Sequence, residues 1–225
     1  MSSSKKRGAF IVIEGLDRSG KSTQAATLVE RLQAERIAVQ LHKFPDRTTP
    51  IGRMIDSYLR SESDLDDHTV HLLFSANRWE LATSIEETLN AGTTILCDRY
   101  AFSGIAFSAS KGLPFEWCRA PDVSLPAPDL VLFLDITPEK AKERGGYGEE
   151  RYEKEETQRK VRQVFARMAE ETIAQYEKNN HSRWVTVDAG QTLEAVTADI
   201  WKAVEPFVGG VSGPIPRLWE GINQP

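Results

Sequence analysis

Apolar positions along this chain follow two rhythms that alternate. Residues 9–14 (AFIVIE) form a β-branched run that stops at Gly15, and residues 21–35 then place Leu28 and Leu32 at helical spacing. Residues 37–44 (IAVQLHKF) read as a second strand closed by Pro45, and 51–59 as a short helix behind Pro50. A long helical pattern follows over about 66–90, apolar at Val70, Leu73, Phe74, Leu81, Ile85 and Leu89, and Asn90-Ala91-Gly92 ends it. Strands are predicted at 93–97, 130–135 and 184–187. The helices between and after them fall at 101–108, 114–119, from Pro138 onward, at 155–178 and at 193–204. Five near-continuously apolar strands alternating with helices predict an α/β fold, a five-stranded parallel sheet flanked by helices on both faces. Ligands of such sheets bind beyond the carboxyl ends of the strands.

The pattern sets a single domain over 1–208. Residues 144–151 (RGGYGEER) form a glycine-rich, charged loop, and the proline-containing segment 209–225 has no period and reads as an arm. Composition narrows the partners. Hydrophobic residues make up 40% of the 225, enough for a core, while a net charge of −5 leaves no basic surface for tracking nucleic acid. The longest apolar runs, 9–13 and 130–134, are far too short to span a membrane, and the N-terminus lacks a signal-peptide segment. Cys97 and Cys118 form no C-x-x-C pair, so a reduced, intracellular compartment is the expectation, with Cys97 a small buried hydrophobe in its strand.

The chemistry clusters at strand ends. Residues 15–22 (GLDRSGKS) match the phosphate-binding G-x-x-x-x-G-K-[ST] loop between a strand and a helix. Gly15 and Gly20 let backbone N–H groups curl around phosphate oxygens, and the helix N-terminus at Ser19–Thr23 adds its dipole. Lys21 is expected to reach the β- and γ-phosphates and Ser22 to face Mg²⁺. The only D-x-x-G lies inside this loop and no N-K-x-D occurs, which disfavours a GTPase switch. Asp98-Arg99-Tyr100 ends the third strand. Asp98 suits a metal or an acceptor oxygen and Arg99 suits phosphates, the alternative being a local ion pair capping the next helix. Arg47, in Phe44-Pro45-Asp46-Arg47, is either a phosphate grip or a solvated loop residue. Phe74 and Arg78 share a helix face; they could hold a planar base, or be plain core and a surface ion-pair partner. His68 and His71, three apart, read as a solvated helix face sooner than a metal pair.

Together these residues resemble the thymidylate kinase family of P-loop nucleoside-monophosphate kinases. The resemblance runs through FIVIEGLDRSGKSTQ (10–24), KFPDRTTPIG (43–52), HLLFSANRWE (71–80), DRYAFSGIAFS (98–108), PDLVLFLD (128–135) and ERGGYGEERYE (143–153). It implies a P-loop NTPase fold, transfer of phosphate from ATP to dTMP with Mg²⁺, a homodimer, and a cytoplasmic location with the nucleus left open. It also implies roles for single residues. Phe74 would stack on thymine and Arg78 would bond its edge, with Phe44, Tyr100, Ser103, Gly104 and Phe107 shaping the pocket. Arg47 and Arg99 would hold the dTMP phosphate, Asp17 the 3′-hydroxyl, and Tyr152 would exclude a 2′-hydroxyl. Arg18 would meet the transferred phosphoryl group, and Arg144 would lie near adenine in a lid over 144–152. Two arginines aimed at the acceptor favour a monophosphate over a nucleoside. Lys21, Ser22, Arg18 and Asp98 together disfavour a binding protein without turnover.

Overall fold

The most apolar run becomes the centre of the sheet. In the computed structural model, which describes residues 6–144, 151–152, 154–179 and 182–220, β1 (Phe10–Gly15) is buried at every position. It lies between β3 (Thr94–Asp98) and β4 (Leu130–Asp135), with β2 (Val39–Lys43) and β5 (Arg183–Asp188) at the edges. The order is β2-β3-β1-β4-β5 and every pairing is parallel. The expectation of near-continuous apolar strands holds for the central three. The edge strands have a neighbour on one side only: β5 mixes buried with exposed positions, and no residue of β2 is fully buried. β2 also starts at Val39, two residues later than predicted, because Ile37 N–H closes the end of the preceding helix on Leu32 C=O (2.9 Å).

The helices are α1 (Lys21–Ala34), α2 (Pro50–Leu59), α3 (Asp67–Asn90), α4 (Ala101–Ala109), α5 (Phe115–Arg119), α6 (Pro138–Lys142), α7 (Glu155–Asn179) and α8 (Leu193–Val204). Local signals fix several starts. Thr49, Asp66 and Thr192 accept hydrogen bonds from the first-turn N–H groups of α2, α3 and α8. Because all strands are parallel, the carboxyl ends of β1, β2 and β3 and the N-termini of α1 and α4 open on one edge of the sheet.

The segment read as an arm packs back onto the opposite edge. Val211 pairs with Arg7 and Arg217 with Pro126, Leu218 is buried in the core, and Trp219 meets the Phe102 ring at 5.7 Å. Arg7 clamps this end with two bonds to Asp129 (2.8 and 2.7 Å) and a third to Gly213 C=O. Apolar side chains buried on folding stabilise by about 25 cal/mol per Å², so Leu218 and Trp219 tie the C-terminal segment to the body. Most of the predicted charged loop, residues 145–150, and Glu153 just beyond it lie outside the described residues.

Candidate active site

One cavity of about 450 Å³ opens at the carboxyl edge. Its phosphate end is made by the turn after β1. Gly20 adopts φ 93° at the N-cap of α1, a conformation glycine takes without steric cost. Lys21 is buried, and its Nζ donates to Leu16 C=O (2.5 Å) and to Ser19 Oγ (3.4 Å). Burial, reinforced by the Arg99 charge, pushes the Lys21 ammonium down to about 7, while Asp17, Asp98 and Glu14 pull against it. Ser22 Oγ donates to Asp98 Oδ2 (2.6 Å), and Lys43 Nζ stands 3.8 Å from the same carboxylate. A hydroxyl and a buried carboxylate in contact are hard oxygen donors. They fit Mg²⁺, which takes one or two carboxylates and completes its shell with substrate phosphates and water. Among the described residues no group of three or more His, Cys, Asp or Glu could hold a metal without such help.

Between the two ends stands Arg99, in the left-handed region at φ 69°. Its Nη1 donates to Gly15 C=O and to Ser103 Oγ (both 3.1 Å), Nη2 pairs with Asp17, and the guanidinium lies 5.3 Å from the Phe107 ring. The local Asp98–Arg99 pair gives way to these longer-range partners. Arg18, also left-handed at φ 61°, lines the cavity. Arg47 lines it too, with Nη1 2.5 Å from Asp56 of α2, so it is not a solvated loop residue. Asn77 holds the Phe44–Arg47 corner against α3, accepting from Asp46 N–H (2.8 Å) and donating to Asp46 C=O (3.2 Å).

The far end is apolar and already satisfied. Phe74 and Arg78 both face the cavity. Arg78 is only 2% exposed and pairs bidentately with fully buried Asp122 (3.1 and 2.6 Å), to which Ser75 also donates (2.8 Å). The surface ion-pair alternative therefore fails, since a charge this deep needs its partner. A Cβ on Gly104 would fall 2.8 Å from Arg78 Nη2, which is why the position takes glycine. Tyr152 packs against Phe107 (5.2 Å) and Tyr58 (6.2 Å), and burial, aided by Tyr58, raises its hydroxyl well above the usual range. Phe44 and Tyr100 meet at 5.6 Å on the adjoining wall.

Of the predicted residues, Asp17, Thr23, Ser103 and the others above line this cavity; Gly15, Ser19 and Arg144 stand outside its lining. Gly15 C=O accepts from Arg99 and Ser19 Oγ from Lys21. Arg144 donates to Arg18 C=O (3.2 Å) and to Ala189 C=O, bridging the phosphate loop and the turn after β5. His71 corrects its reading. It is fully buried, bonded to Ser108 Oγ and Cys118 C=O (both 2.8 Å), and burial pushes its imidazole down; only His68 is exposed.

Four site residues escaped sequence reasoning. Lys43 and Asp122 are single charges in ordinary contexts. Gln158 donates to Asp17 Oδ2 (2.8 Å) and Tyr152 C=O (2.9 Å) from the first turn of a polar helix. Glu14 alone carried a signal, a carboxylate ending an otherwise apolar central strand.

A five-stranded parallel sheet whose first strand turns through a phosphate loop into α1 defines the P-loop NTPase class. The thymidylate kinase family model matches residues 13–200. The chain is 53% identical over 198 residues to thymidylate kinase of Schizosaccharomyces pombe, covering 88% of this chain and 92% of that one. It is 51% identical to the Arabidopsis thaliana enzyme, covering 90% and 73%, and 45% identical to the Homo sapiens enzyme, covering 96% and 99%. The solved structure of Candida albicans thymidylate kinase superposes with a TM-score of 0.83 at 40% identity, covering 95% of this chain and 99% of that one. This chain belongs to the thymidylate kinase family.

Proposed function

We propose that the protein transfers the γ-phosphoryl group of ATP to dTMP, giving ADP and dTDP. One observation carries the reading beyond family membership. The P-loop with Lys21, the Ser22–Asp98 pair, the Arg99–Asp17 bridge and the Phe74–Arg78 pocket all open into a single cavity. A phosphate donor and a base-bearing acceptor can therefore meet in one cavity.

Phosphoryl transfer needs alignment and charge neutralisation more than covalent chemistry. Lys21 and Arg18 would meet negative charge on the donor, Arg99 and Arg47 the acceptor phosphate, and Asp17, steadied by Gln158, the 3′-hydroxyl. Exchange of the Asp17 and Asp56 carboxylates for phosphate oxygens keeps both arginines charge-paired throughout. Phe74 and Arg78 would take the flat face and polar edge of thymine, and the Tyr152 ring would crowd a 2′-hydroxyl. Mg²⁺, held by Ser22 and Asp98, would offset phosphate charge when bound. The acceptor phosphate is ionised at neutral pH, so no general base is needed. Arg144 and the lid over 144–152 would close the donor side and limit hydrolysis.

A single domain onto which the segment 209–220 packs, and a homodimer, belong to the same reading. Leu72 and Trp79 of α3 lie seven residues apart on one face and are 48% and 42% exposed, and Met54 of α2 is 50% exposed, which is the apolar surface a second copy would cover. A cytoplasmic location, with the nucleus open, fits a donor and acceptor drawn from the free nucleotide pool. No helix among the described residues is long and apolar enough to cross a membrane. The test is a panel of natural monophosphates with MgATP and product identification. dTDP formation well ahead of other diphosphates is the expected result, and preference for another base overturns the reading.

A further inference from the structure

Glu14 is fully buried at the end of β1, yet nothing in the phosphoryl transfer described above uses it. Its Oε1 accepts from Tyr100 N–H (2.9 Å) and Ser103 N–H (3.2 Å), two of the donors that the start of α4 leaves without helical partners. Its Oε2 accepts from Ser103 Oγ (2.5 Å). The same Ser103 oxygen accepts from Arg99 Nη1 (3.1 Å). A serine hydroxyl has one proton, and an ionised carboxylate can only accept. The Ser103 proton must therefore point to Glu14, which turns a lone pair toward Arg99.

We infer that Glu14 is a positioning residue for the acceptor-phosphate arginine, acting through the polarity of the Ser103 hydroxyl. Arg99 needs such a hold. It sits at φ 69°, where a residue with a side chain stays only when its surroundings fix it. Its other side-chain partners are Gly15 C=O and Asp17, and Asp17 must be released when the guanidinium turns to phosphate. Ser103 is thus a thymine-pocket residue by position and an arginine support by hydrogen bonding. Burial raises the Glu14 carboxyl, and the Ser103 hydroxyl, the Arg99 charge and the two N–H donors oppose that rise.

Glu14→Gln separates this role from plain capping of α4. The amide oxygen can still accept from Tyr100 and Ser103 N–H, but the amide nitrogen donates to Ser103 Oγ. That leaves the hydroxyl oxygen shared between two donors, the amide and Arg99, with its proton no longer fixed on residue 14. The inference rests on Arg99 holding the dTMP phosphate, so Arg99→Lys, which has no fork to meet Ser103, is measured beside it. Expected is a loss of about tenfold or more in kcat/KM for dTMP for Glu14→Gln, within the range of coupled neighbours, with the KM for ATP unchanged. In Ser103→Ala or Arg99→Lys backgrounds the same change should cost less than about threefold. An equal loss in all three backgrounds, or none in the parent, overturns the inference. A fully active Arg99→Lys overturns the phosphate assignment instead. If Glu14→Gln does not fold, the Ser103→Ala and Arg99→Lys pair decides: their losses should fail to add, and simple additivity refutes the relay.

Discussion

The two ends of the cavity hold their buried cations, Arg78 and Lys21, in opposite ways. At the base end the buried cation is answered by another side chain, Arg78 lying on Asp122, and Tyr152 is backed by Tyr58, with Lys111 Nζ 4.8 Å from its ring. At the phosphate end Lys21 is buried against a carbonyl and a hydroxyl, and its proton is loosely held. The first end is finished before any ligand arrives and belongs to the fold. The second would be completed by anionic ligands under the proposed function, so ligand binding should stabilise the protein chiefly there. Substitutions should divide accordingly, with stability lost at one end and turnover lost at the other.

The sharpest break would come at Asp122. Asp122→Ala strands a guanidinium that is 2% exposed, and removing one partner of a buried pair costs about 3–5 kcal/mol. Chemical denaturation should report this as a large fall in midpoint, and an unchanged midpoint would place Arg78 outside the fold's own electrostatics. Arg18→Ala should do the reverse: a loss of about 10²–10³ in kcat, as for other preorganised charge stabilisers, with ATP binding and thermal midpoint near those of the parent. Near-normal turnover would remove Arg18 from catalysis. Tyr152→Ala should narrow the preference for dTMP over its ribose counterpart by about tenfold, the scale of a steric filter. It should not improve a 3′-deoxy analogue, whose defect lies at Asp17. Equal kcat/KM ratios in both proteins would refute the assignment.

The smallest effect tests the phosphate end directly. Lys21 ordinarily titrates near 10.5 and in the folded, ligand-free protein at about 7. Between those values the unfolded chain binds more protons, so raising the pH from about 7 toward 10 should stabilise the ligand-free protein; below 7 both states carry the proton and the penalty is constant. Phosphate beside Lys21 restores the charged form, so ATP binding near pH 8 should take up a fraction of a proton. Calorimetry in buffers of different ionisation enthalpy measures that uptake, and Lys21→Met should abolish it.

The same contrast governs what could be read from the chain. The phosphate loop was legible because its chemistry is local: consecutive backbone N–H groups, a glycine at positive φ and a helix N-terminus lie within eight residues, 15–22. The three central strands were legible from their apolar runs, the start of α2 from Pro50 and the end of α3 from Asn90-Ala91-Gly92. Phe74 and Arg78 could be placed on one face by spacing alone, but their role came from the family resemblance.

What the tertiary structure decided is every partner across the fold. Asp122 lies 44 residues from Arg78, Gln158 lies 141 from Asp17, and Glu14 lies 89 from Ser103. Nothing periodic connects such pairs, because a hydrogen bond between distant segments leaves no spacing in the chain. Burial was equally out of reach for His71, which looks like a surface histidine until α4 and α5 close over it. The C-terminal segment, shapeless by pattern, gains its place only from the core surface that Leu218 and Trp219 cover. Sequence determined the sheet and the loop that grips phosphate, because both are built from neighbours. Which charges are held ready and which await a ligand was settled by packing, because desolvation depends on everything that surrounds a group.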